Sequence, residues 1–348
     1  MATADVKIPH DWNVNDSEAV ISNDPQKIYK EYDYMRQNCP VVHCDRHNGS
    51  WMLTKYEDVK NVCSDGQTFV SSVCAIIPGD PRGIRRPPLK FDGKEHTPYR
   101  TALDRTLRPA WLKCLEPLLE AHAERELGLL LKRGHGNTCS EFGAKFPALV
   151  EKEWLNLDDR DSKLLAESVN PFVQSWRTGD WGAVKRASDS FYKIARRVVA
   201  AREVTPMKPE EDLASSLLLE CDHDGQPLDN SPLEEFVRLY TPYKGFARTA
   251  VCPVTLSGTV VPEKEPTTFD APNQFNMDRE NINTQLGFGR GRHRCAGMAL
   301  ARMMLKVVLQ VFLKNRIDFE IDGEPEFARV PEICMIGCPM KFRVREEP

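Results

Sequence analysis

At 348 residues, with 41% hydrophobic and 28% charged positions, the chain has the make-up of a soluble globular protein, large enough for one big domain or two ordinary ones. A formal charge of -4 excludes a global attraction to nucleic acid or an acidic membrane, so any basic surface must be local. The opening residues hold no apolar signal or anchor, and no later stretch is apolar for the length a bilayer requires, so a cytoplasmic location is expected.

Eleven cysteines lie scattered without a C-x-x-C pair, which reads as reduced thiols rather than a disulfide framework. Cys39, Cys44, Cys334 and Cys338 lack the close His or Cys partners of a tetrahedral zinc site.

In chain order, Ser50–Lys60 predicts a short strand running into a helix, and the Pro- and Gly-rich stretch Pro78–Gly93 predicts a loop. A helix is expected around Thr97–Leu107, since Pro98 should set its start. Another is expected over Leu115–Lys132, with an apolar face at Leu119, Leu127, Leu130 and Leu131 and a stop at Gly134. Further helices are expected at Asp159–Ser168, Trp181–Glu203 and Ser231–Tyr240, the last with Ser231 as N-cap and Pro232 at its first position.

After Pro242 the pattern RTAVCPVTLSGTVVP predicts short strands with a turn at Ser257-Gly258, followed by an irregular stretch from Phe269 to Asn283. A long final helix, Ala296–Asn315, carries one narrow polar stripe of Arg302, Lys306, Gln310 and Lys314. It is expected to be buried on most sides. The fold class is mainly α with small β-sheets, in a single domain over 1–348.

The chemically informative segment is Gly287-Phe-Gly-Arg-Gly-Arg-His-Arg-Cys-Ala-Gly297. A thiolate at Cys295 would be favoured by the helix N-terminus that follows and by Arg290, Arg292, His293 and Arg294 before it. Gly289, Gly291 and Gly297 would let the backbone pass close beneath a flat macrocycle, and Phe288 would shield the sulfur. A dinucleotide loop would want Gly where Arg294 stands, and a Walker loop would want Gly-Lys-Ser/Thr, so nucleotide binding is the weak rival.

Phe288, Gly291, His293, Cys295 and Gly297 fit F-x-x-G-x-[R/H]-x-C-x-G, and on them the chain resembles the cytochrome P-450 family, in its soluble, camphor-hydroxylase-like branch. The resemblance implies haem b, with Cys295 as the iron ligand and His96, Arg100, Arg248 and His293 on the propionates. It also implies the family's E-x-x-R pair at Glu235 and Arg238. Gln274 stands where an Arg commonly completes that triad.

Such proteins activate dioxygen, put one atom into an apolar substrate and reduce the other to water, with electrons from a ferredoxin or flavoprotein reductase. A basic patch of Arg290, Arg292 and Arg294 would receive that donor. The loop Ser71–Pro78 is apolar enough to line the substrate site.

The family's long distal helix, with its acid-and-alcohol proton relay, has no counterpart in the sequence. Arg177-Thr-Gly-Asp180 has the wrong order and context. The reading jumps near 230/231 and again near 266/267, as if internal segments were deleted. A fold with pieces missing leaves two further readings open: a haem-binding but oxygenase-inactive shortened form, and a non-oxygenating haem-thiolate isomerase or dehydratase.

Overall fold

The computed structural model describes residues 21–22, 33–38, 40–44, 50–73, 87–178, 180–222, 224–226, 247–252, 284–328 and 334–345. In chain order its elements begin with strands β1 (Ile21–Ser22), β2 (Val41–Cys44) and β3 (Ser50–Leu53), helix α1 (Tyr56–Ser64) and strand β4 (Phe69–Val70). Helices α2 (Gly93–Thr106) and α3 (Pro109–Arg133), strand β5 (His135–Asn137) and helix α4 (Phe146–Trp154) follow. Next are α5 (Asp159–Thr178), α6 (Trp181–Val204), α7 (Leu213–Leu218), strand β6 (Thr249–Ala250) and helix α8 (Met298–Lys314). Strands β7 (Ile317–Ile321), β8 (Glu326–Ala328), β9 (Cys334–Gly337) and β10 (Pro339–Val344) close the chain.

These elements fall into two compact units interleaved in sequence. The first comprises 1–13, 26–83 and 246–295, and the second 14–25, 84–245 and 296–348. In the first unit, β2 pairs antiparallel with β3, and β4 with β6, where Phe69 lies opposite Ala250. Helix α1 connects the two ladders along the chain, with Val62 buried.

The second unit is helical around one apolar core. Leu103, Leu119, Leu127, Leu130, Val150, Leu165, Val184, Ile194, Leu213, Leu300 and Val307 are nearly solvent-free within it. Helices α5 and α6 form a hairpin in which Phe172 meets Phe191 edge-on at 5.5 Å. Helix α4 is tied to α2 by Trp154 Nε1 donating to Thr106 Oγ1 at 3.3 Å, and α7 to α2 by Ser216 Oγ donating to the Ala102 carbonyl at 2.9 Å. Two three-stranded antiparallel sheets, ordered β1-β8-β9 and β5-β10-β7, complete the unit.

The mainly helical class with small sheets is therefore as expected, and Gly134 ends α3 in the left-handed conformation with φ 74°. Three expectations are corrected. Helix α2 begins at Gly93, not Thr97, because a proline at its sixth residue removes only one internal donor, and buried His96, Tyr99, Ala102 and Leu103 hold both turns.

Helix α5 continues ten residues past Ser168, through Pro171. Helix α8 is not buried on most sides: Leu305, Leu309 and Leu313 are 65%, 63% and 78% exposed. Its lysine stripe is not its free edge, because Lys306 pairs with Glu116, and Lys314 with Glu120 and Glu124, across the seam with α3. Helix Ser231–Tyr240, the turn at Ser257-Gly258 and the stretch from Phe269 to Asn283 lie outside the described residues, apart from the Thr249–Ala250 strand before that turn.

Candidate functional site

The loop before α8 is built from short backbone bonds. The Gly289 N–H donates to the Leu286 carbonyl at 2.8 Å, Arg294 N–H to Gly291 at 3.1 Å, and Cys295 N–H back to Phe288 at 2.8 Å. Between them Gly291–His293 makes one 3₁₀ turn. Closing so tight a loop needs left-handed backbone at Gly289 (φ 67°) and Gly291 (φ 71°), where a side chain is strained.

The glycines differ in what else they do. A Cβ on Gly291 would lie 2.2 Å from the Cys63 carbonyl oxygen, whereas the nearest atom to a Cβ on Gly289 is 3.9 Å away. The bare Cα of Gly291 is thus filled by the last turn of α1, an α1 partnership the sequence did not reveal. Gly297 (φ -75°, ψ 7°) is the N-cap of α8, which places exposed Cys295 two residues before that cap.

Cys63 meets one charged side chain and one backbone amide. Burial pushes its thiol up, while the Arg248 guanidinium and the Arg290 backbone N–H act against burial. Arg248, half-buried, also donates Nη1 to the Ala247 carbonyl at 2.8 Å just before β6, and the Val251 N–H donates to the Thr68 carbonyl beside β4. One end of α1 thereby collects Arg248 and the cysteine loop. Nothing in the sequence pattern linked Cys63 to either, since they lie far apart in the chain. Phe288 and His293 are half-buried; Arg290, Arg292 and Arg294 are exposed.

His96 and Arg100 belong to the second unit, one turn apart on α2. His96 is 4% exposed, and Arg100 Nε donates to Asp104 Oδ1 at 2.7 Å. Glu235, Arg238 and Gln274 lie outside the described residues, as does the loop Ser71–Pro78 beyond Val73, which is exposed. Asp180, rejected as a relay residue, is the N-cap of α6, accepting from the Ala183 N–H at 2.9 Å.

The donor set is one exposed thiol near a helix N-cap, beside cationic side chains, on a loop closed by backbone bonds. That set fits a thiolate-ligated haem iron, and a phosphate would gain nothing from the thiol. Among the described residues no helix is long and apolar enough to cross a membrane.

The family model for Cytochrome P450 matches residues 222–327. A Steroid C26-monooxygenase of Mycolicibacterium smegmatis is 25% identical over an alignment of 395 positions, covering 92% of this chain and 90% of that protein. The Cyclomarin C epoxidase CymV of Salinispora arenicola is 24% identical, over 84% of this chain and 89% of its own length. Among solved structures, Cytochrome P450 CYP101C1 superposes with a TM-score of 0.78 at 19% identity, covering 96% of this chain and 97% of that one. The Mycobacterium marinum cytochrome P450 CYP268A2, solved in complex with pseudoionone, gives 0.77 at 18% identity, covering 92% and 95%. At such identities the structural likeness speaks for the fold.

Proposed function

We propose that the chain is a cytochrome P450 and a haem-thiolate monooxygenase, placing one oxygen atom of dioxygen into a small hydrophobic substrate. The observation that carries the reading is the closed loop from Leu286 to Gly297, which presents exposed Cys295 at the foot of α8.

Haem b would be held by Cys295 at the metal, with Arg248 and His293, and His96 and Arg100, countering the propionate charges. Bound there, it supplies the redox-active iron for dioxygen chemistry. The chain's own residues set the conditions. The N-terminus of α8 and the neighbouring arginines favour the thiolate of Cys295 over the thiol. Phe288 would shield the sulfur beside a bound haem, and Gly291 locks the loop onto α1.

Arg290, Arg292 and Arg294 form the basic surface for an acidic ferredoxin or flavoprotein, where opposite charge steers the encounter. Reversing the charge of Arg290 and Arg292 should slow reduction at low salt; an unchanged rate would remove this docking site.

We take residues 1–348 as one working domain that has lost segments near 230/231 and 266/267. An alignment of 395 positions against a chain of 348 residues supports this, since the relative then carries stretches with no counterpart here.

The testing experiment is the absorption spectrum of the reduced, carbon-monoxide-bound protein, made with haem available. The expected outcome is a Soret band at the red-shifted position of thiolate ligation, lost in Cys295→Ala. A colourless protein, or a band indicating a neutral proximal ligand, would overturn the assignment. Reductase-driven turnover on an apolar substrate panel then tests the activity separately from haem binding.

A further inference from the structure

Away from this site, two free cysteines stand side by side. Cys338, fully buried, is the single residue between β9 and β10, and Cys139, half-buried, opens the turn after β5. Strand pairing sets them there: Asn137 lies opposite Pro339, and the Thr138 N–H donates to the Cys338 carbonyl at 3.1 Å. The Thr138 hydroxyl donates to the same carbonyl at 3.2 Å.

The side chain of Asn137 then binds both cysteines at once. Its Oδ1 accepts from the Cys139 N–H at 3.1 Å, the Cys338 N–H at 3.2 Å and the Ser140 N–H at 3.4 Å. Two main chains hung from one oxygen atom are in the neighbourhood that a disulfide requires, with Cα atoms about 4.4–6.8 Å apart.

We propose that Cys139 and Cys338 are a reversible redox pair, oxidised by a hydroperoxide to a disulfide that fastens the turn after β5 to the β9–β10 corner. Cys139 is the reachable partner, so it reacts first. Its thiolate attacks the O–O bond, forming an S–O bond and releasing an alcohol, or water from hydrogen peroxide, once a proton is taken up. The product is a sulfenic acid. The Cys338 thiol, losing its proton, attacks that sulfur; the S–S bond forms, the S–O bond breaks and water leaves. Two thiols have lost two electrons, and the peroxide has gained them.

The two sulfurs sense each other. Burial pushes the Cys139 thiol up and Cys338 pushes it the same way, against a hydrogen bond from Thr138. Cys139 therefore rests as the thiol at neutral pH, and its oxidation accelerates as pH rises. A cross-link there closes a loop of about 200 residues, which constrains the unfolded chain more than a short loop does.

The test treats the full-length reduced protein with hydrogen peroxide at about pH 7 and about pH 8.5, alkylates the remaining thiols and maps unreduced peptides by mass spectrometry. The expected result is a peptide pair joining Cys139 to Cys338, lighter by about 2 Da than its parts, formed faster at the higher pH and lost on treatment with dithiothreitol. Oxidation should raise Tm by roughly 5 °C. In Cys338→Ser, dimedone should trap Cys139 as a sulfenic acid; in Cys139→Ser, Cys338 should stay unmodified. Recovery of both as alkylated thiols, or Cys139 joined to another cysteine, would overturn the proposal. The wild-type map decides this even if a variant misfolds.

Discussion

Gly289 and Gly291 share a left-handed backbone but not a neighbourhood, and the difference sets the cost of changing them. Gly289→Ala should cost about 1–2 kcal/mol, the steric penalty of a Cβ in that conformation. Gly291→Ala adds a collision with the Cys63 carbonyl, so it should cost more than Gly289→Ala and should also lower haem incorporation. Chemical denaturation and haem content of the two variants, measured side by side, check the order.

Glu151 makes a different point at the same scale. It sits on α4 at 2% exposure, and its Oε2 is without a hydrogen-bond partner. Burial therefore pushes its carboxyl well above the usual range. Below the unfolded value of about 4.3 the group is protonated in both states; as pH rises, the unfolded chain ionises and the folded one resists, so stability falls with pH. Glu151→Leu should gain about 1–3 kcal/mol at neutral pH. Glu151→Gln should flatten the decline between about pH 4 and pH 8 while keeping a polar group inside. Denaturation across that range reads both; an unchanged slope in Glu151→Gln would show that the carboxyl ionises normally.

Among the helices α1–α8, the shortest is held at its start by one buried residue. Helix α7 has six residues, too few to stand alone, and buried Asp212 starts it by accepting the Ser215 N–H at 2.8 Å. The same carboxylate faces Arg202 Nε of α6 at 3.1 Å and accepts from Asn156 Nδ2 at 3.3 Å. Asp212→Ala should cost about 3 kcal/mol or more, because it removes a cap and leaves a guanidinium without its buried partner. Asp212→Asn should recover part of that loss by restoring the cap, and thermal melts of the pair separate the two contributions. Helix α2 shows why punctuation residues mislead: Pro98 reads as a start, yet five buried residues outweigh the one missing donor.

On the scale of the whole molecule, α8 is the conspicuous feature. Leu300, Val307 and Val311 are buried, but Leu305, Leu309 and Leu313 make a second apolar stripe open to solvent. The stripe is apolar by sequence and uncovered by packing, so its exposure follows from which elements meet α8 rather than from its own period. Leu309→Lys should change stability by no more than about 0.5 kcal/mol, as for other exposed positions. A loss above about 2 kcal/mol would mean that the stripe is covered in solution.

The residues by themselves determined the make-up of one loop: the spacing from Phe288 to Gly297 brings a thiol, glycines and cations together, and that pattern is local. They also determined helix α6 and the stop at Gly134, where apolar spacing and a left-handed cap act within a few residues; α3, expected from Leu115, begins six residues earlier at Pro109. Tertiary structure alone decided the rest, because the deciding partners are distant in the chain. It set Gly291 against Cys63, gathered Arg248 at the same helix end, hung Cys139 and Cys338 from Asn137, and chose which side of α8 is covered. A helical period says that a face is apolar; only the packing of other elements says whether that face is buried.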